Sequence, residues 1–170
     1  PIGVAVDGLP IHGPNEEGRY NLADPHAIGN LDSCNGHVSI RGEYHYHGRP
    51  DCLWKEEVLN KTDRVIGYAW DGFPIMAPFA CIDPACSSIK RLHSSYVQVG
   101  DPSQSNSWEA YEFQPGYGEL DKCNGMVGPD KRYRYYATDT FPYMMGCYRG
   151  HVETSNLLEI RGPGFKYKKS

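Results

Sequence analysis

The residues best equipped for chemistry are His45 and His47 of the run Tyr44-His45-Tyr46-His47. Side chains alternate faces along an extended strand, so the two imidazoles share one face and the two tyrosines the other. Adjacent imidazoles can hold one metal ion or act on one substrate. Their nitrogens suit zinc or copper, which then need only one or two further ligands. His37, in the loop entering the strand, is the nearest third ligand; His12 and His151 are more distant ones. The plain structural alternative is a histidine pair hydrogen-bonded to carbonyls or carboxylates in a wet cleft. Five of the seven histidines precede Gly48, and that clustering favours the metal.

A second chemistry needs no metal. If the chain brings Arg134 and Tyr136 to His45 and His47, the arginine could neutralise a substrate carboxylate while a histidine or tyrosine moves a proton. That is the equipment of a lyase acting by β-elimination on an acidic polysaccharide, with Trp54, Trp70, Trp108 and the tyrosines as sugar-stacking surfaces. The same aromatic residues also serve as core and rim of a small β domain. Calcium is a third candidate, through Asp32, Asn35, Asp121 and Asn124 together with Asp7 and Asp71. Each cluster falls short of the roughly six oxygens calcium prefers, so Asx side chains capping their own turns are the better reading. No Gly-x-Ser-x-Gly elbow and no phosphate-binding glycine loop occurs.

The elements that must position these residues come in two related sets. Gly3-Val4-Ala5-Val6-Asp7-Gly8-Leu9-Pro10-Ile11 reads as strand, Asp-Gly turn and strand. It recurs 64 residues later as Gly67-Tyr68-Ala69-Trp70-Asp71-Gly72-Phe73-Pro74-Ile75, identical at six of nine positions. Leu31-Asp32-Ser33-Cys34-Asn35-Gly36 recurs as Leu120-Asp121-Lys122-Cys123-Asn124-Gly125, at an offset of 89. At that offset Tyr44-His45-Tyr46-His47 falls on Tyr133-Arg134-Tyr135-Tyr136. The offsets differ by 25 residues, so the second half carries an insertion between Phe79 and about Gly118, with an exposed loop expected near Gly100 to Ser107. Strands are expected at Glu43 to His47, Arg64 to Trp70, Tyr96 to Val99, Arg132 to Thr138 and Leu157 to Arg161; short helices at Asn21 to Ile28 and Leu53 to Asn60.

Six cysteines without a C-x-x-C pair, in a chain of 19 glycines, 13 prolines and 13 tyrosines, describe a disulfide-stapled, extracellular protein. The repeat favours Cys34 with Cys52, Cys123 with Cys147, and a local Cys81 to Cys86 bridge. A sequon at Asn60-Lys61-Thr62 fits a secreted glycoprotein. A net charge of −4 offers no basic field for nucleic acid or anionic membrane, and Lys166, Lys168 and Lys169 read as a solvated tail. No apolar run approaches the roughly 20 residues of a membrane-spanning helix. The chain opens at Pro1 inside an apparent strand, which predicts an upstream segment carrying the targeting information.

Together, the paired Gly-x-Ala-x-Asp-Gly-x-Pro-Ile and Asp-x-Cys-Asn-Gly motifs, Tyr44-His45-Tyr46-His47, and Phe141-Pro142-Tyr143-Met144-Met145-Gly146-Cys147-Tyr148-Arg149-Gly150 resemble the YHYH-domain family of secreted proteins, over about Ile2 to Gly150. The resemblance implies architecture more than a reaction. Many members of that family carry a histidine where this chain has Arg134, and a His-Ser-Pro where it has Lys61-Thr62-Asp63-Arg64, so the resemblance implies a site with fewer histidines here. The expected fold is mainly β: one small disulfide-stapled β domain spanning 1–170, built from two pseudo-symmetric repeats (about 1–60 and 61–150) with few short helices, followed by a C-terminal strand and basic tail at 151–170. The expected function is transition-metal binding, copper or zinc, possible also as an enzyme cofactor. The alternatives are the polysaccharide lyase and a non-enzymatic matrix or adhesion module.

Overall fold

A computed structural model describes residues 1–16, 22–53 and 64–153. Its centre is an antiparallel pair, β1 (Gly3–Ala5) against β5 (Val65–Ala69), in register Gly3 with Ala69 and Ala5 with Gly67. β2 (Pro10–Ile11) folds back on β1 through the first Asp-Gly turn, and β6 (Pro74–Met76) folds back on β5 through the second. Next come two parallel steps: β4 (Tyr44–Tyr46) joins β2 with Ile11 opposite Tyr46, and β12 (Tyr133–Tyr136) joins β6 with Ile75 opposite Tyr135. Two hairpins close the edges, β3 (Gly36–Val38) on β4 and β11 (Gly125–Val127) on β12. The eight strands thus run β11-β12-β6-β5-β1-β2-β4-β3.

Small residues in the right turns make this possible. Gly8 and Gly72 take φ of 90° and 84°, which side chains rarely adopt, while the preceding Asp7 and Asp71 accept from the amides of Leu9 and Phe73. In the Asp-x-Cys-Asn-Gly turns, Asp32 accepts from the amides of Cys34 (2.8 Å) and Gly36 (3.2 Å), and Asp121 from those of Cys123 (2.9 Å) and Gly125 (3.1 Å).

The tyrosines of β4 and β12 tie these turns to the sheet. Tyr46 and Tyr135 donate to Asp7 (2.8 Å) and Asp71 (2.5 Å), while Tyr44 and Tyr133 donate to Asp32 (2.7 Å) and Asp121 (3.1 Å). The carboxylates proposed for calcium are each engaged by their own turn and one phenol, and Asp71 also by the Arg149 and Gly150 amides. All four rings belong to or flank one core with Ile2, Ile11, Ile66, Ile75, Met144 and Met145. Burying such a side chain stabilises by roughly 1.5–3 kcal/mol.

The three disulfides are Cys34–Cys52, Cys81–Cys86 and Cys123–Cys147, as the repeat suggested. The insertion is more structured than a loop: it forms β7 (Phe79–Cys81) with β8 (Ile89–Arg91), β9 (Tyr96–Gln98) with β10 (Tyr111–Phe113), and one short helix α1 (Ser107–Ala110) capped by Asn106. A single helical turn is too short to leave a periodic signature. The single helical turn expected between Asn21 and Ile28, broken by Pro25, is a run of turns over its described residues, with one Ile28 amide to Asp24 carbonyl bond of 3.1 Å and Leu22 at φ 63°. Trp54, the sequon, most of the expected Leu53 to Asn60 helix, the Leu157 to Arg161 strand and the basic tail lie outside the described residues. Among the described residues no helix is long and apolar enough to cross a membrane.

Candidate metal centre

Since Tyr44 and Tyr46 turn into the core, the alternation of β4 sends His45 and His47 to the opposite face. They are 4% and 1% exposed, and their Nε2 atoms lie 3.0 Å apart. β3 adds the third imidazole: His37 pairs directly across from His45, and its Nε2 approaches that of His45 at 3.0 Å. The segment after β2 supplies the rest. His12 stacks on His45 with ring centroids 4.0 Å apart, and a Glu16 carboxylate oxygen sits 3.0 Å from Nε2 of His37 and 4.0 Å from Nε2 of His47.

The outer nitrogens explain why the inner ones converge. Nδ1 of His47 meets the Gly13 carbonyl at 2.6 Å, Nδ1 of His45 the Glu43 carbonyl at 3.2 Å, and Nδ1 of His37 the Asn30 carbonyl at 2.9 Å. A carbonyl only accepts, so at His45 and His47 it selects the tautomer with the proton on Nδ1 and leaves the Nε2 lone pair aimed inward; Nδ1 of His37 faces both the Asn30 carbonyl and, at 3.0 Å, the Asn30 side-chain amide, which donates. The inward lone pairs of His45 and His47, 3.0 Å apart, repel unless a cation lies between them. Burial pushes His12 down to about 2, with the N-terminal charge and then the neighbouring imidazoles adding to it, and His47 to about 3, and it lowers His45 as well, so these rings stay neutral. Neutral, oriented and desolvated imidazoles are the form that binds metal.

Among the described residues, two overlapping groups have ligand atoms within 4.8 Å of one another: His12, His45 and His47, and Glu16, His37 and His47. Glu16 was not legible in sequence, because nothing in Pro14-Asn15-Glu16 marks a ligand; parallel pairing of β2 with β4 brings its segment alongside. His151 is exposed and pairs with Glu153 at 3.6 Å, far along the chain from this cluster.

Arg134 and Tyr136 do not join the histidines. Tyr133 and Tyr135 occupy the same core as Tyr44 and Tyr46, so alternation sends Arg134 and Tyr136 to the outer face of the other flank, with four strands between β12 and β4. There Arg134 bonds Asp130 through both terminal nitrogens (2.8 and 2.6 Å), and Tyr136 packs with Met76, Ala80, Leu92 and Leu120. The expected four-residue lyase constellation is therefore not assembled. Trp108 likewise packs against Phe141 and Tyr96, inside the protein rather than on a sugar-binding face.

No curated protein and no solved structure matches the chain. The sequence model described as YHYH protein does, over residues 1–150, which covers the core, all three disulfides and the histidine cluster, and the chain therefore belongs to the YHYH protein family.

Proposed function

We propose that this protein is extracellular and binds one transition-metal ion, copper before zinc, through Nε2 of His37, His45 and His47 with the Glu16 carboxylate beside them. The observation that carries the reading is the pair of 3.0 Å contacts that Nε2 of His45 makes with Nε2 of His37 and of His47, with Nδ1 of His45 and His47 turned to backbone carbonyls. Three disulfides support an oxidising compartment. Imidazole nitrogens with a carboxylate suit copper or zinc, and at a given nitrogen and oxygen site copper(II) binds more tightly than zinc. Held by His37, His45 and His47 with Glu16, such an ion would supply Lewis-acid or redox chemistry, as an enzyme cofactor does.

The test is elemental analysis after chelation and reloading with copper or zinc. Wild type is expected to retain one equivalent, with copper outcompeting zinc, and His45→Ala/His47→Ala to retain none. A wild type that holds no stoichiometric metal sinks the reading.

A further inference from the structure

Gly48, directly after His47, opens onto a polar cavity of about 180 Å³ whose lining contains none of the metal ligands, although His26 in its wall hydrogen-bonds the His47 backbone. One wall is charged: Arg49 contacts Asp51 and lies 3.5 Å from Asp139. The other wall is aromatic: His26 stacks on Tyr143, centroids 3.8 Å apart, and the Tyr143 hydroxyl donates to the buried Asp24 carboxylate at 2.5 Å. The cavity joins residues distant in sequence, with Thr138 and Asp139 facing the stretch after β4.

Two features mark a space meant to be filled. Nε2 of His26 is buried and has no hydrogen-bond partner, a state that costs roughly 1–3 kcal/mol when nothing compensates it. Glycine at 48 keeps the gap open, for a Cβ there would come within 2.9 Å of the His26 ring and 3.1 Å of Asn35.

The lining selects the ligand. Arg49 is already paired with Asp51 and Asp139, and Asp139 also with Arg91, so an ion of either sign must displace an existing pair. A hydroxyl both donates and accepts, and can serve the Arg49 donors, the Asp51 and Asp139 acceptors and the His26 nitrogen alike. Several hydroxyls on a compact ring with apolar C–H faces would also pack against the His26 and Tyr143 edges. The volume holds about six waters, the space of one pyranose. We propose that this cavity binds one neutral sugar residue, beside but independent of the metal.

Saturation-transfer NMR and calorimetry on the full chain, with glucose, galactose, xylose, N-acetylglucosamine and their disaccharides, and glucuronate as the anionic control, test this. At least one neutral sugar is expected to bind, in chelated and metal-loaded protein alike. Gly48→Ala and Asp139→Asn should each weaken it roughly ten-fold or more, with metal content unchanged; Asp139→Asn decides if Gly48→Ala fails to fold. Absence of binding across the panel, binding indifferent to both substitutions, or a preference for glucuronate overturns the proposal. Binding that persists without metal keeps its fate distinct from that of the metal centre.

Discussion

Glu16 is the residue whose role is most easily separated from the fold. Its carboxylate reaches His37 at 3.0 Å and the Asn30 side-chain amide at 3.4 Å, and among the described residues it lies outside the hydrophobic core. Whether it binds the ion or orients His37, its negative charge stabilises a dication among neutral imidazoles. Glu16→Gln is expected to weaken metal affinity by about 10–100-fold in chelator competition, and to leave the Tm of the metal-free protein unchanged. A large fall in that Tm would instead make Glu16 a structural residue. Of the cluster, His45 and His47 were legible from strand alternation alone and His37 from proximity. Glu16 needed the parallel β2 to β4 contact.

At the scale of elements, the strands and turns are fastened by tyrosine–aspartate pairs. Burial and the adjacent carboxylate raise Tyr44 to about 12, and burial raises Tyr96 to about 12; Tyr46, Tyr133, Tyr135 and Tyr143 are raised as well. The sign follows from proton linkage. A phenol raised in the folded state binds its proton more tightly there, so its contribution to stability is complete below the unfolded value of about 10 and is lost as pH rises from about 10 through about 12. Tyrosinate absorbance should therefore appear together with loss of the near-ultraviolet circular dichroism above pH about 10. Smooth ionisation of most tyrosines in a protein that stays folded would contradict this. Tyr46→Phe is expected to cost about 0.5–1.5 kcal/mol in urea unfolding, because exposed Asp7 can be solvated in its place, and Tyr135→Phe about 1–3 kcal/mol, because the Arg149 amide also loses the hydroxyl it donates to. These pairs account for both recurring aspartate motifs, and the sequence had shown the motifs without their partner.

Across the whole molecule, the two hairpins pair in corresponding register: His37 opposite His45, and, 89 residues on, Met126 opposite Arg134. At the same offsets His12 answers to Met76 and His47 to Tyr136. Met76 and Tyr136, with Met126 against them, form an apolar cluster on the second flank. The fold thus accommodates methionine at such places, and burying histidines there costs stability unless an ion compensates them. His12→Met/His37→Met is expected to keep the far-ultraviolet spectrum, to match or exceed the metal-free wild type in urea, and to lose most metal affinity. Unfolding of that variant would show that the histidines are needed by the scaffold itself.

The sequence by itself determined the mainly β class, the disulfide pairing, the family resemblance and the shared face of His45 and His47. Each of these depends on local alternation, turn chemistry or repetition along the chain. Only the tertiary structure decided the company those histidines keep. Which segments lie beside β4 depends on sheet order, and sheet order put Glu16 and His12 there while leaving Arg134 and Tyr136 on the far flank. The physical reason is the common core: tyrosines from both aromatic strands must bury their rings in it, and that requirement turns the intervening residues of the two strands outward on opposite flanks.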